Sequence, residues 1–141
     1  MTSEETTSET RADRFERGMK TLTSISGDAA GQNFIDSLAD ISPELGHQAV
    51  AWAFGDIIHR PGLAPRDREL VTLGILTALG GCEPELEAHV KNALNVGLTP
   101  QEIVETLLHS AIYCGIPRAI NATFLAKKVF AERQLLPVTT I

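Results

Sequence analysis

The sequence predicts an all-helical bundle, and three features of the chain support this fold class. Apolar residues recur at intervals of three and four along most of the 141 residues, which is the period of an amphipathic helix. Proline, glycine and capping residues divide these periodic stretches into separate helices. Aromatic residues make up only 5% of the chain, so the core must consist mainly of Leu, Ile, Val and Ala. No stretch shows the sustained alternation that is typical of a strand.

The first part of the chain predicts a polar tail followed by two helices. Residues 1–10 are polar and acidic, and we expect them to form a disordered tail ahead of one domain over residues 11–141. A charged helix is expected from Arg11 to Lys20. It is followed by a loop from Ser24 to Gly31 and a short helix from Asn33 to Leu38.

A longer helix is predicted to begin at Ser42-Pro43 and to end near Arg60. Serine is a favoured N-cap and proline is a favoured first helical residue. Pro61-Gly62 cannot continue the helix, which therefore ends before these residues. Apolar side chains follow one helical spacing within it: Leu45, Ala49, Trp52, Ala53 and Ile57.

The most apolar helix is predicted to begin at Pro65 and to end at Gly80-Gly81. Beyond its first turn it is apolar around most of its circumference, so we expect it in the centre of the bundle. Glu69 lies in that first turn, where the helix dipole favours a carboxylate. If it is buried, Glu69 is a candidate proton relay, although an ordinary first-turn acid explains it equally well.

The C-terminal part of the chain predicts three more helices. The first opens at Pro84 and runs to about Asn95. Thr99-Pro100-Gln101-Glu102 is a capping box with proline at the first helical position, so it predicts the start of the second helix. Gly115-Ile116-Pro117 ends that helix, and the last one extends from about Arg118 to Gln134.

Charge and cysteine content exclude several classes of partner. The formal net charge is −6 and there is no cluster of Lys and Arg, which argues against nucleic acid. No apolar run reaches the roughly 20 residues that cross a bilayer, and the polar N-terminus lacks a secretory signal. We therefore expect a cytoplasmic protein with no membrane partner. Cys82 and Cys114 do not form a C-x-x-C pair, and Cys114 lies among apolar neighbours that are typical of a core.

One group of polar side chains lies on the helix before Pro61. It combines an aromatic ring, a carboxylate, an imidazole and a guanidinium, which together suit a small anionic molecule. Its members are Trp52, Asp56, His59 and Arg60. An exposed helix end with an ordinary Asp56–Arg60 pair and a core Trp52 explains the same spacing.

Two further pairs of polar residues share helix faces. A carboxylate at Glu85 can orient the imidazole of His89 for general acid/base work, and Cys82 precedes that histidine by seven residues. His109 and Tyr113 can each donate a hydrogen bond to a substrate oxygen. Ordinary helix-surface pairs explain both spacings as well. No motif supplies the three or four ligands of a zinc site, so we expect no metal.

Four stretches of sequence are more specific than any of these groups. They are Gly-Asp-x-x-x-Arg-Pro-Gly-Leu at 55–63, Glu-Leu-x-x-His at 85–89, Asn-x-Gly-Leu-Thr-x-x-Glu-Ile at 95–103 and His-x-Ala-Ile-Tyr-Cys-Gly-Ile-Pro at 109–117. Together they resemble the carboxymuconolactone decarboxylase family, and the resemblance extends over roughly residues 14 to 131.

The resemblance implies the helical fold shared with alkyl hydroperoxidase D and a ring-shaped homo-oligomer, a trimer or hexamer. It also implies decarboxylation of γ-carboxymuconolactone in aromatic catabolism, without a cofactor. In that reaction Arg60 would anchor a carboxylate, and His89, oriented by Glu85, would donate the proton. Asp56 and His109 would line the pocket and assist proton transfer, and Glu69 is a further candidate for the same relay. The substrate-binding candidates besides Arg60 and His109 are Trp52, His59 and Tyr113.

Two departures from the family pattern leave alternatives open. Glu85 stands where the peroxidase branch has its second cysteine, which disfavours dithiol peroxidase chemistry. Phe54-Gly55-Asp56 and His59 stand where the decarboxylase tends to have Trp-Gly-Glu and a second tryptophan, which would reshape the pocket. Another non-redox conversion, such as a dehydration, isomerisation or cyclisation, is therefore the first alternative. A thiol redox enzyme using Cys82 and a non-catalytic binding protein are the others.

Overall fold

The computed structural model describes residues 8–139, and every regular element in this range is a helix. The predicted all-helical fold class is confirmed. The chain divides into two compact units, one ending at Gly62 and the other starting at Leu63. Most of the predicted tail over residues 1–10 lies outside the described range. Within residues 8–139, no helix is long and apolar enough to cross a membrane.

The first unit contains three α-helices followed by a π-helix. Their bounds are Arg11–Ser26 for α1, Ala30–Leu38 for α2, Pro43–Gln48 for α3 and Ala49–Ile58 for the π-helix. Helix α1 continues beyond Lys20 into the predicted loop. It begins with a capping box that the sequence analysis missed, in which Thr10 accepts from the Asp13 backbone and Asp13 accepts from the Thr10 backbone.

The π-helix differs from the single α-helix predicted after Ser42. The His59 amide continues its i→i+5 pattern by donating to the Phe54 carbonyl at 3.1 Å. This winding places more residues in each turn and turns the side chains away from the predicted face. Leu45, Trp52 and Ile57 are exposed, whereas Val50, Ala51 and Gly55 are buried. Pro43 begins α3 as predicted, but the Ser42 side chain makes no capping hydrogen bond.

Helix α1 crosses the π-helix at two glycines. A Cβ atom on Gly18 would lie 2.0 Å from the Val50 carbonyl oxygen, and one on Gly55 would lie 2.6 Å from the Arg14 carbonyl oxygen. No side chain fits between backbones at these separations, so both positions require glycine. The buried side chains of this unit include Leu22 and Val50.

The second unit is a bundle of four α-helices. Their bounds are Pro65–Leu79 for α4, Glu83–Asn95 for α5, Pro100–Cys114 for α6 and Ile116–Glu132 for α7. The predicted capping box is confirmed, since the Glu102 amide donates to Thr99 Oγ1 at 3.1 Å. The core is aliphatic around one aromatic ring, and its largest fully buried members are Phe130, Leu73, Ile103, Leu107, Val90 and Val129.

The predicted central position of α4 is only partly correct. Its buried residues, Glu69, Leu73 and Thr77, lie four apart and face the other helices of this unit. The opposite side carries a second apolar stripe that stays exposed in the single chain. This stripe consists of Val71, Ile75 and Leu79, which are 52%, 53% and 64% exposed.

Candidate active site

A buried carboxylate and a partly exposed imidazole meet between α4 and α5. Oε2 of Glu69 lies 2.9 Å from Nδ1 of His89. The Glu69 side chain is 5% exposed and the His89 side chain is 20% exposed. The carboxylate is therefore enclosed, whereas the imidazole also reaches the surface of the unit.

A second contact lies near the connection between α4 and α5. The thiol of Cys82, the residue before α5, donates to the Leu76 carbonyl of α4 at 3.4 Å. Leu76 lies seven residues after Glu69, and Cys82 lies seven residues before His89. The helices therefore run antiparallel in register over nearly two turns, and this register brings Glu69 and His89 together.

The contact determines how the imidazole can be used. An ionised Glu69 can only accept hydrogen bonds, so its partner nitrogen, Nδ1 of His89, carries the hydrogen when Glu69 is ionised. Nε2 is then the nitrogen that can take up or give a proton. A histidine held in this way is suited to general acid/base catalysis.

The predicted partner of His89, Glu85, is wrong. The carboxylate that contacts the imidazole belongs to Glu69, and Glu85 is exposed one turn earlier on α5. Residues four apart share a helix face, but here the imidazole turns across to the buried acid on the neighbouring helix. The four-residue spacing of Glu69 with Leu73 and Thr77 was the signal that the acid faces inward.

Cys82 lies near the start of α5, at the other end of this register. Both cysteines are free and half-buried. A cavity of about 20 Å³, enough for about one water molecule, is lined by Cys82, Thr77, Arg118 and Asn121 among others. Among residues 8–139, no three His, Cys, Asp or Glu side chains are grouped so that they could hold a metal ion.

His109 and Tyr113 lie together on α6. Their ring centroids are 5.9 Å apart and the rings are tilted by 49°. His109 lines an open groove of about 550 Å³ between α4 and α6, with Glu105 and Ser110 beside it. The opposite wall, from α4, consists of Leu70, Val71, Gly74 and Ile75. The substrate-binding role predicted for His109 and Tyr113 stays a prediction.

In the first unit, two arginines of α1 bind Asp56. Its carboxylate accepts from Arg14 Nε at 3.1 Å and from Arg17 Nη2 at 3.0 Å. The hydrogen bond from Arg14, more than any other contact, holds the pKa of Asp56 below its usual value. Arg17 Nε also donates to the Gly55 carbonyl at 2.7 Å. The geometry thus favours a structural role for Asp56, fastening α1 to the π-helix, over the predicted role in proton transfer.

The other members of the group before Pro61 lie on the surface of this unit. Nδ1 of His59 is 3.1 Å from Oγ1 of Thr21, and Arg60 is exposed. Trp52 is 58% exposed, so its alternative assignment to the core is wrong. The substrate-binding roles of Trp52, His59 and Arg60 stay predictions.

The sequence that builds this site matches a known protein family. Residues 43–128 match the family described as the carboxymuconolactone decarboxylase family. The chain belongs to this family. The resemblance noted in the sequence is therefore confirmed, and the matched stretch includes both Glu69 and His89.

Three known proteins are similar to this chain over more than half of its length. The 4-carboxymuconolactone decarboxylase of Acinetobacter baylyi is 32% identical over 124 residues, covering 88% of this chain and 92% of that protein. The nitrosuccinic acid decarboxylase npaB of Metarhizium robertsii is 32% identical over 132 residues, covering 94% and 92%. An uncharacterized 15.0 kDa protein of Paracoccus denitrificans, from the nqo9-nqo10 intergenic region, is 38% identical over 80 residues, covering 56% and 60%. Two of the three are thus named as decarboxylases, each of a different acid.

Proposed function

We propose that this protein is a decarboxylase of a small carboxylic acid such as γ-carboxymuconolactone. One observation carries the proposal: the buried carboxylate of Glu69 holds the imidazole of His89 at 2.9 Å, which is an acid/base device. The two decarboxylases that are 32% identical over most of the chain support the reaction type. This catalytic scheme requires no cofactor.

The reaction needs a proton on the substrate carbon after carbon dioxide has left. The bond between the substrate carbon and its carboxylate breaks, carbon dioxide leaves, and the electron pair stays on the carbon. His89 then donates a proton from Nε2 to that carbon, and the imidazole regains a proton from solvent. Glu69 at Nδ1 orients the ring and stabilises its positive charge before the transfer, so Glu69 is a positioning residue.

The substrate is a carboxylic acid that leaves a stabilised carbanion. The relatives are named for a lactone acid and for nitrosuccinic acid, and both compounds are therefore the first to test. The lactone is our leading candidate, because the four specific sequence stretches resemble the family named after it. With this substrate, the protein would act in aromatic catabolism.

The direct test is release of carbon dioxide from each of the two acids by the purified protein. Replacing His89 by Ala should lower the rate on the order of 10² to 10⁴-fold if this residue is the proton donor. His47→Ala is the matched control, since His47 stacks on Phe15 in the first unit with ring centroids 5.1 Å apart. A folded His89→Ala variant with full activity would remove His89 from the mechanism.

Two outcomes of the same assay would change the proposed substrate or the proposed reaction. If neither acid is turned over by folded protein, both substrates are excluded. If an acid is consumed without release of carbon dioxide, the reaction is a dehydration, isomerisation or cyclisation instead. Product analysis by mass spectrometry distinguishes these conversions, since a dehydration changes the mass and an isomerisation does not.

The thiol alternative is tested by Cys82→Ser. The serine hydroxyl can keep the hydrogen bond that the thiol donates to the Leu76 carbonyl, so the fold should be retained. We expect unchanged decarboxylation, because the proposed reaction uses no thiol. Loss of activity in a folded Cys82→Ser variant would instead support chemistry at the sulfur.

A further inference from the structure

Three polar residues are buried within residues 8–139, and two of them have side-chain partners there. Glu69 contacts His89, and the Thr77 hydroxyl donates to a backbone carbonyl one turn earlier at 2.7 Å. The third is Asn92 of α5, which is 6% exposed and whose side-chain amide has no hydrogen-bond partner within that range. Buried amides are almost always hydrogen-bonded, so an enclosed amide without a protein partner is available to a ligand. Neither amide atom of Asn92 is completely enclosed, which leaves them within reach of a small molecule.

Asn92 lies one turn after His89 on α5. Residues three apart on a helix are neighbours, with Cβ atoms about 5 to 6 Å apart. Side chains on a helix lean toward its N-terminus, which directs the Asn92 amide toward the turn that carries His89. The carboxylate of Glu69 holds Nδ1 of that imidazole, so Nε2 is the nitrogen left for the substrate. A substrate bound at Nε2 of His89 is therefore within reach of the Asn92 amide.

Decarboxylation creates a negative charge that needs a partner of its own. When the bond to the carboxylate carbon breaks, its electron pair is drawn into a conjugated carbonyl or nitro group of the substrate. The oxygen of that group then becomes negative. His89 delivers the proton to carbon from its one available nitrogen, so a different group must hold the oxygen. An amide N–H that is already in position stabilises such an oxygen without having to reorient during the reaction.

We propose that Asn92 donates a hydrogen bond from Nδ2 to the substrate oxygen that becomes negative as carbon dioxide leaves. This inference rests on the proposed decarboxylation and adds a second catalytic residue, which the sequence analysis did not single out. The charge returns to carbon when His89 protonates it, and the product leaves with a neutral oxygen. The substrate class follows: an acid whose carboxylate is attached to a carbon conjugated with a carbonyl or nitro oxygen.

Neighbouring donors on the same helix are engaged elsewhere. Apart from the imidazole, two other side chains of α5 carry N–H donors. Lys91 donates to Glu87 at 3.1 Å, and the amide oxygen of Asn95 accepts from Arg133 at 3.1 Å. Carboxylates near the site would repel a negative oxygen when they are ionised. Asn92 is the neutral donor of α5 that is both buried and beside the imidazole.

Steady-state kinetics of carbon dioxide release test this role. Asn92→Ala should lower kcat by about 10²-fold with little change in KM, because the hydrogen bond strengthens only as the charge develops. Asn95→Ala is the matched control, since it removes the same type of side chain from the same helix. Both of its constants should equal those of the wild type, because its amide contacts Arg133 instead.

A second variant separates the hydrogen bond from the space that the side chain fills. Asn92→Asp has the same shape, but its carboxylate replaces the N–H donor with a charge that repels the oxygen. It should lower kcat more than Asn92→Ala does. Circular dichroism checks the helix content of both variants, and the alanine variant decides the matter if the buried charge unfolds the other.

The possible results distinguish this inference from the proposed function. If the wild type releases carbon dioxide and folded Asn92→Ala keeps its kcat, the assignment of Asn92 is overturned and the decarboxylase stands. An Asn92→Ala variant in which only KM rises would also overturn the assignment, because the contact would then belong to the bound substrate and not to the developing charge. A wild type that releases no carbon dioxide from either acid would overturn the proposed function and this inference together.

Discussion

The imidazole of His89 faces the buried carboxylate of Glu69 at 2.9 Å, from another helix and across 20 residues of sequence. Helix periodicity would instead pair His89 with Glu85, which is exposed. The acid that orients the proposed proton donor is therefore the one that the bundle encloses. Because Glu69 is buried, solvent screens this contact less than a surface pair of the same length.

Replacing each of the two acids separately distinguishes their roles. Glu69→Gln should lower kcat/KM of decarboxylation by about 10²-fold, because the imidazole loses the charge that stabilises its protonated form. Its pH profile should change as well, which a merely structural effect would not cause. Glu85→Gln is the matched control and should leave both kcat/KM and its pH profile unchanged. Larger losses in Glu85→Gln than in Glu69→Gln would contradict the assignment.

Two predicted helix caps should differ in their contribution to stability. The Thr99 side chain accepts a hydrogen bond from the Glu102 amide, so Thr99→Ala should lower the free energy of unfolding by about 1 kcal/mol. Ser42 makes no such bond, and Ser42→Ala should have little effect. Chemical denaturation of both variants measures the difference. Equal losses would mean that Ser42 caps α3 in solution.

The crossing of α1 and the π-helix should not tolerate a methyl group. Gly18→Ala would place a Cβ 2.0 Å from the Val50 carbonyl oxygen, so the helices must separate, at a cost of about 1 to 3 kcal/mol or more. At Gly62 nothing lies within 4 Å of the corresponding position, and Gly62→Ala should change the unfolding free energy by less than about 0.5 kcal/mol. Thermal unfolding of the two variants provides the comparison. A wild-type melting temperature for Gly18→Ala would show that the crossing is wider.

The ion pairs of Asp56 should make stability depend on pH. Arg14 lowers the pKa of Asp56, so this stabilisation is complete above the ordinary pKa of an aspartate and is lost as the pH falls through the lowered value. Asp56→Asn should therefore be less stable than the wild type at pH 7, and the difference should shrink below about pH 4. Asp28→Asn, in the exposed turn after α1, serves as the control. A stability difference that is constant with pH would exclude the ion pairs as its source.

Local signals in the sequence predicted most of the fold. The capping box at Thr99 and the prolines at helix starts act through neighbouring residues, and they located the helices of the second unit to within a few residues. The π-helix could not be predicted in this way. Its residue types also suit an α-helix, and one of the glycines at its crossing, Gly18, lies on another helix.

The candidate site was predicted residue by residue rather than as a set of contacts. His89 and Glu69 were both singled out, yet their pairing depends on the register between α4 and α5, which no spacing within one helix reveals. Asp56 is a similar case. Its partners, Arg14 and Arg17, lie 42 and 39 residues earlier, and only the packing of α1 brings them near.

The π-helix also changes what an insertion or deletion would do in this chain. Its ten residues occupy less axial length than the roughly 15 Å of an α-helix with the same number of residues. Removing one residue would let the segment rewind as an α-helix of similar length, so the chain could stay connected without a break. Asp56 would then rotate away from Arg14. Deletion of one residue from the π-helix would therefore change the direction in which its side chains point.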